Sequence, residues 1–289
     1  MTGILAIGDV IDDVIVRPAG PIAPDTDTPS AIERTAGGSA ANTACWLGAS
    51  GASATLVATV GREDVPRHEA LLERHGVVPH LRGVDRATGT IVVLSQGGSR
   101  AMLTDRGANA ETAPDDVDDG LLADHALLHL TGHVLGGPDR DEGWRALLAR
   151  ARLAGLSTSV APGSAAWLQD LGPGRFRRIT AGADLLLAGL DEARLLTGLD
   201  DPQAAARALA ASHGLVVVTL GGDGSLLARG DRVLRVPIVT TEVVDVTGAG
   251  DAYAAGLLGA LLQGASDAEA GAAAAALAAR AVARVGARP

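Results

Sequence analysis

Short, nearly uninterrupted apolar runs alternate along this chain with segments whose apolar residues recur every three to four positions. That alternation constrains the fold more than any other feature. The runs are I-L-A-I (4–7), T-L-V-A-T-V (55–60), A-L-L-H-L (126–130), A-D-L-L-L-A (183–188) and G-L-V-V-V-T-L (214–220). Between them lie S-A-A-N-T-A-C-W-L-G (39–48), R-H-E-A-L-L-E-R-H-G (67–76), D-E-G-W-R-A-L-L-A-R-A-R-L-A (141–154) and P-Q-A-A-A-R-A-L-A-A-S-H (202–213), which read as helices. A strand that is apolar on both sides must be covered on both sides. The pattern therefore predicts an α/β fold with a mostly parallel central sheet and helices on both faces. At 289 residues, 47% of them hydrophobic, a single domain over 1–289 accommodates it. Two segments break the rhythm. Residues 10–36 carry V-I-V-R and a Pro/Asp/Thr-rich connection, and residues 88–104 alternate across a Q-G-G-S turn, so a small β lid is expected from them. The alanine-rich stretch 270–283 reads as a packing helix.

Charge and residue usage exclude several function classes. The formal net charge is −10 and no basic run occurs, which argues against nucleic acid or an anionic membrane as partner. No apolar stretch is long enough to span a bilayer, and the first residues lack the pattern of a signal peptide, so a cytoplasmic protein is expected. Cys45 is the single cysteine, which rules out an internal disulfide or a thiolate zinc cluster and leaves a small core residue. All 24 basic residues are arginine and none is lysine. That removes the lysine of a Walker-type phosphate loop, the strand lysine of protein kinases and all Schiff-base chemistry.

Open α/β sheets bind ligands beyond the carboxyl ends of their strands, so the chemistry is sought in the loops there. Four loops stand out: G-D-V-I-D-D with Asp9, Asp12 and Asp13; G-G-S-A-A-N with Gly37, Gly38 and Asn42; T-L-G-G-D-G with Thr219, Gly221, Gly222 and Gly224; and D-V-T-G-A-G-D, residues 245–251. Read alone, each has an ordinary explanation as a turn, a helix entry or a hairpin. In the last, Gly248, Ala249 and Gly250 precede a long helical pattern, where bare N–H groups and the helix dipole make an anion site. A carboxylate at Asp251 would repel a bound phosphate, unless it serves to take a proton from an attacking hydroxyl.

The four loops in this order resemble the ribokinase-like, or PfkB, family of carbohydrate and nucleoside kinases, with T-G-T (88–90), D-R-G-A-N-A (105–110) and D-E-A-R-L-L-T-G (191–198) extending the similarity over the whole chain. The resemblance implies an ATP-dependent phosphotransferase acting on a hydroxyl of a sugar, sugar acid or nucleoside. Asp251 would be the base, with the Gly248, Ala249 and Gly250 N–H groups as anion hole. It also implies that Asp13, Gly37, Gly38, Asn42 and Asn109 meet the substrate and that Thr219, Gly221, Gly222 and Gly224 line the nucleotide site. Glu192 would act on Mg2+ through water, Asp245 and Thr247 would lie at a site for a monovalent cation such as K+, and the protein would form a homodimer through its lids.

The chain departs from the family pattern at Gly189, where the N-x-x-E motif has asparagine, at Ala161 and Gly163, which stand in a D-P-N-like stretch, and at Ile11, often asparagine in ribokinases. The first departure bears on metal handling and the last on ribose as substrate. Two further readings differ in class. A ligand-binding relative without catalysis would suit the missing Asn and Asp, though not the intact Asp251; a nicotinamide oxidoreductase fails because G-A-G-D-A-Y lacks the third glycine and lies too late in the chain. Within the same fold, vitamin kinases are the neighbouring alternative.

Overall fold

The computed structural model describes residues 3–96, 99–137 and 139–289. In chain order its first strands are β1 (Gly3–Ile7), β2 (Ile11–Pro18), β3 (Ser30–Gly37), β4 (Ala54–Gly61), β5 (Val77–Val84), β6 (Gly89–Gln96) and β7 (Ser99–Asp105). They continue as β8 (His125–Thr131), β9 (Ser157–Ala161), β10 (Leu185–Gly189), β11 (Leu215–Thr219), β12 (Ser225–Arg229) and β13 (Arg232–Val236). The main sheet has nine strands in the order β13-β12-β11-β10-β9-β8-β1-β4-β5, parallel from β5 to β11 and antiparallel only at β12 and β13.

The apolar runs occupy the centre of this sheet because both faces are covered. Every residue of β1 and of β4 is buried. Side chains alternate across the pleat: Leu5 and Ile7 join a core with Trp144, Leu148 and Phe176 on one face, while Ile4 joins Trp46 and Leu258 on the other. Helix Ser39–Ala49 is buried from Ala40 to Leu47, Cys45 included, because it is sandwiched between the sheet and helix Ala249–Leu262. A helix covered on two sides needs small residues, which is what A-A-N-T-A-C supplies.

From β1 the sheet grows in two directions, through β4 and β5 on one side and through β8 to β11 on the other. The order therefore reverses at β1, and the loops after β1 and β8 diverge there into an open crevice. The smaller sheet, in the order β3-β2-β6-β7, is built from the two segments that break the helical rhythm. Of the expected Q-G-G-S turn, Gly97 and Gly98 lie outside the described residues. No helix among the described residues is long and apolar enough to cross a membrane.

Trp144 is fully buried in the core that joins helix Asp141–Leu153 to the sheet. Replacing it by Ala should cost about 3–5 kcal/mol, the sum of lost transfer energy and an unfilled cavity. Urea unfolding of the two proteins reads this directly, and a loss under about 1 kcal/mol would mean that the neighbouring helices collapse onto the gap.

Candidate active site

Asp251 sits in the first turn of helix Ala249–Leu262, whose first N–H groups have no intrahelical carbonyl to bond. The preceding Gly248 has φ 76°, and a Cβ there would lie 2.6 Å from the Ala287 carbonyl oxygen, so both conformation and space demand glycine. A Cβ on Gly250 would meet nothing within 4 Å, which leaves the backbone of this turn open to a ligand. The Asp251 carboxylate is held at both oxygens: Ser39 Oγ donates to Oδ1 at 2.6 Å and Asn42 Nδ2 donates to Oδ2 at 2.9 Å. Burial pushes its pKa up to about 6, against the opposing pull of those two hydrogen bonds. Such a carboxylate is ionised at neutral pH, yet is a stronger base than an exposed aspartate.

Ser39 and Asn42 reach Asp251 because the G-G pair starts helix Ser39–Ala49 against β1. Gly38 has φ 97°, and a Cβ on it would stand 2.4 Å from the Asp9 carbonyl oxygen. Gly37 makes room for Asp13: a Cβ there would fall 2.1 Å from Asp13 Oδ2. Burial raises the Asp13 pKa to about 6; Arg288 pulls it down, while Asp9, Asp12 and Asp251 push it up. Asp13, Gly37, Gly38, Asn42 and Asp251 thus lie close together at one end of the sheet. Asn42 is 5% exposed, so it is not the surface residue that an ordinary helix entry would place there.

Asn109 does not join them. Its Oδ1 accepts from Val10 N at 2.9 Å, and its Nδ2 donates to Val10 O at 2.7 Å and to Arg106 O at 3.3 Å. Both Nδ2 protons and one lone pair of Oδ1 go to pinning the β1–β2 connection, a structural role beside which one lone pair is left for a substrate. Asp9 also differs from a solvated turn. It is buried, its Oδ1 accepts from Ala40 N at 3.2 Å, and His133 Nδ1 lies 3.5 Å from its Oδ2. Burial alone would raise its pKa, but His133, the Ala40 N–H and Arg106 hold it well below the usual carboxylate range. The Arg106 guanidinium stacks 4.1 Å above the Trp167 ring. Asp12 turns outward into a bidentate pair with Arg67.

On the other side of Asp251 a cavity of about 390 Å³ brings Thr219, Gly221, Gly222 and Gly224 together with Ala249 and Gly250. Its remaining wall is mostly apolar, with Val239, Val246, Tyr253 and Ala279, a lining that suits a flat heterocycle. A second cavity shares Thr219 and Gly221 and extends to Gly189, Asp191 and Glu192. Glu192 Oε2 accepts from Gly189 N at 2.6 Å, one half of a capping box at the start of helix Leu190–Thr197, and burial raises its pKa. Among the described residues no three carboxylate, histidine or cysteine groups come together as a metal cluster. Magnesium fits such a site all the same, since it keeps several waters and binds through one or two carboxylates plus phosphate oxygens. Asp245 Oδ1 accepts from Thr247 N at 2.9 Å and Thr247 Oγ1 at 2.7 Å, and its Oδ2 accepts from Gly286 N at 3.2 Å.

The departures from the family motifs have physical explanations. Gly189 has φ −75° and ψ 166°, ordinary extended backbone, so positive φ is not the reason for glycine there. Gly163 is different: φ is 105°, and a Cβ would lie 2.7 Å from His133 Nε2. His133 fills the space a longer side chain would need. Ala161, at the end of β9, packs against the core shared with Trp46 and Leu258.

A family model for the pfkB family of carbohydrate kinases matches residues 1–289. The chain belongs to this family. It is 31% identical over 218 residues to an uncharacterized sugar kinase of Archaeoglobus fulgidus, covering 75% of this chain and 85% of that protein. It is 28% identical over 267 residues to an ATP-dependent ribose-1-phosphate kinase of Halopiger xanaduensis, covering 89% and 84% respectively. The solved adenosine kinase of Sinorhizobium meliloti superposes with a TM-score of 0.89 at 26% identity, over 100% of this chain and 96% of that one. A putative ribokinase II of E. coli, solved with ATP and Mg2+, shares the fold with a TM-score of 0.84 at 20% identity, over 99% and 94%. The protein is thus a sugar kinase of the pfkB family with the ribokinase-like fold.

Ser39, His133, Arg106 and Arg288 were not singled out in the sequence. Ser39 carries the one signal that could have found it, its place directly after Gly38 at the helix start. The buried carboxylates make a stability prediction. Asp13 has a folded pKa of about 6 against an ordinary 3.8, so its contribution is favourable below the lower value and is lost as pH rises through the upper one. Asp13→Asn should therefore raise the melting temperature at pH 7.5, with the gain shrinking towards pH 4, while the acceptor KM rises. Equal melting shifts at both pH values would show that the Asp13 charge is not what costs stability.

Proposed function

We propose that this kinase transfers the γ-phosphoryl group of ATP to a hydroxyl of a sugar, sugar acid or nucleoside, with Asp251 as base and the Gly248, Ala249 and Gly250 N–H groups as anion hole. The observation that carries this reading is the position of Asp251, in the first turn of a helix whose Ala249 and Gly250 line the glycine-rich cavity and with its carboxylate bonded to Asn42. The acceptor hydroxyl oxygen forms a bond to the γ-phosphorus as the bond to the β–γ bridging oxygen breaks. The hydroxyl proton goes to Asp251, whose oxygens keep a lone pair beyond those bonded to Ser39 and Asn42. Charge on the transferred group falls at the first turn of the helix, at the positive end of its dipole; Ala249 N donates to Val246 O at 3.3 Å and would turn from it to the phosphate on binding.

Asp13, Asn42 and the Gly37–Gly38 backbone supply the paired acceptors and donors that recognise hydroxyls. Arg106 and His133 stand beside Asp9 at the same edge and favour an acceptor that bears an acid group over a neutral nucleoside. Thr219, Gly221, Gly222 and Gly224 receive the nucleotide. Glu192 would hold Mg2+ through water, where the ion screens the negative charge of the nucleotide phosphates. Asp245 and Thr247 would hold a monovalent cation, K+ in this reading, beneath the anion loop. On the small sheet Ile32, Met102 and Leu103 are exposed, and pairing of two lids in a homodimer would cover them. A cytoplasmic location supplies ATP.

ADP release measured across ribose, fructose, 2-keto-3-deoxygluconate, adenosine, inosine and pseudouridine tests the reading; turnover of none of them at high protein concentration would remove its support. Asp251→Asn should lower kcat by about 10²- to 10⁴-fold with little change in acceptor affinity. Because the base works ionised, wild-type kcat/KM should fall as pH drops below about 6, and that limb should vanish in the Asn variant. Gly189 can accept a side chain, since a Cβ there would stand 3.6 Å from Glu192 Oε2. Gly189→Asn should therefore fold normally, asparagine being a good N-cap, and lower the magnesium needed for half-maximal rate. Unchanged magnesium dependence would separate this loop from the metal.

A further inference from the structure

The residues that follow helix Asp267–Val282 run back across the site and touch both loops that flank Asp251. Val282 O accepts from Val244 N at 2.7 Å, and Gly286 N donates to Asp245 Oδ2 at 3.2 Å. Ala287 packs against Gly248, and its carbonyl accepts from Trp46 Nε1 at 2.9 Å. Arg288 then turns inward: Nη2 donates to Gly37 O at 2.7 Å and Nε donates to Asn42 Oδ1 at 3.2 Å.

The contact with Asn42 has a polarity that only one arrangement satisfies. A guanidinium can only donate, and an ionised carboxylate can only accept. Asn42 lies between the two, so its oxygen must face Arg288 and its NH2 must face Asp251, as the bonds to Oδ1 and from Nδ2 have it. A flipped amide would set NH2 against guanidinium and oxygen against carboxylate, losing both bonds and adding two repulsions. Asp251 already favours the NH2-facing orientation, and Arg288 reinforces it from the far side of Asn42.

We propose that Arg288 is a positioning residue for the phosphoryl transfer, acting through Asn42 to hold Asp251 and through Gly37 to hold the acceptor loop. The proposal rests on Asp251 being the base. Other charged groups also face Asp251, namely Asp9 and His133 from the β1 and β8 ends and Asp13 from β2, so a direct charge effect of Arg288 must be separated from one relayed by Asn42.

A double-mutant cycle makes the separation. Arg288→Met, which keeps apolar bulk, and Arg288→Lys are measured with Asn42→Ala and with the Asn42→Ala/Arg288→Met pair, each checked for an unchanged melting temperature. Arg288→Met should lower kcat by about 10- to 100-fold, the scale of a misplaced reacting group. It should also move the acidic limb of kcat/KM to higher pH, because Asp251 loses a donor that lowers its pKa. Asn42→Ala should do the same, and the pair should lose no more than Asn42→Ala alone. Arg288→Lys should restore part of the rate, since it can still donate to Asn42. Additive losses in the pair, or a limb that stays in place in a folded Arg288→Met protein, overturn the proposal. Should Arg288→Met fail to fold, the limb position in Arg288→Lys combined with Asn42→Ala decides in the same way. Asp251→Asn separates this from the underlying reading: if that variant kept its turnover and its acidic limb, the base assignment would fall and take the proposal with it.

Discussion

Three carboxylates share one end of a buried sheet, and the arrangement of nearly everything around them answers the cost of that crowding. Asp9, Asp13 and Asp251 repel one another at a site where Asp9 is buried and the other two are half-buried, so water screens them only in part. Their fates diverge according to partners. Asp9 has His133, Arg106 and a helix N–H, and is firmly ionised. Asp13 and Asp251 are less fully compensated, and burial lifts both to about 6. One end of the sheet thus holds a firmly ionised carboxylate beside two that titrate closer to neutral pH. Behind them the sheet is packed with apolar side chains on both faces.

The crevice at β1 explains why the carboxylates meet there at all. Strands leave β1 in both directions, so the loops after β1 and β8 separate and the helix starting at Ser39 can aim its first turn into the gap. Helix Ala249–Leu262 packs against that helix and brings a second N-terminus to the same place. Two helix N-termini facing one crevice offset part of the negative charge and prepare the site for phosphate. No lysine occurs in the chain, so any cationic side chain that meets phosphate here is an arginine.

The departures from the family motifs follow from neighbours that replace the missing groups or leave their space open. His133 occupies the volume next to Gly163, so the lost side chain there is exchanged for an imidazole beside Asp9. At Gly189 nothing has moved in; Glu192 instead folds back onto the Gly189 N–H and caps its own helix. One position was thus rebuilt and the other only vacated.

Apolar periodicity and glycine placement are local properties, and they were enough for the α/β class, the two-sided sheet and the separate small sheet, since burial on two faces leaves a mark within a few residues; the grouping of Asp13, Gly37, Gly38, Asn42 and Asp251 came instead from the order of the four loops and the family it resembles. Gly221 and Gly224 left a local mark too, both having positive φ at the turn after β11. Partners far apart in the chain were not legible. Ser39 with Asp251, Arg288 with Asn42 and His133 with Asp9 are pairs separated by 212, 246 and, from the numbering, 124 positions. Nor could the sequence show that the Asn109 amide would be consumed by the Val10 backbone, because a hydrogen-bonding side chain looks the same in sequence whether its partner is a ligand or the chain itself. Residue type sets what a group can donate or accept; only the tertiary fold decides which partner reaches it first.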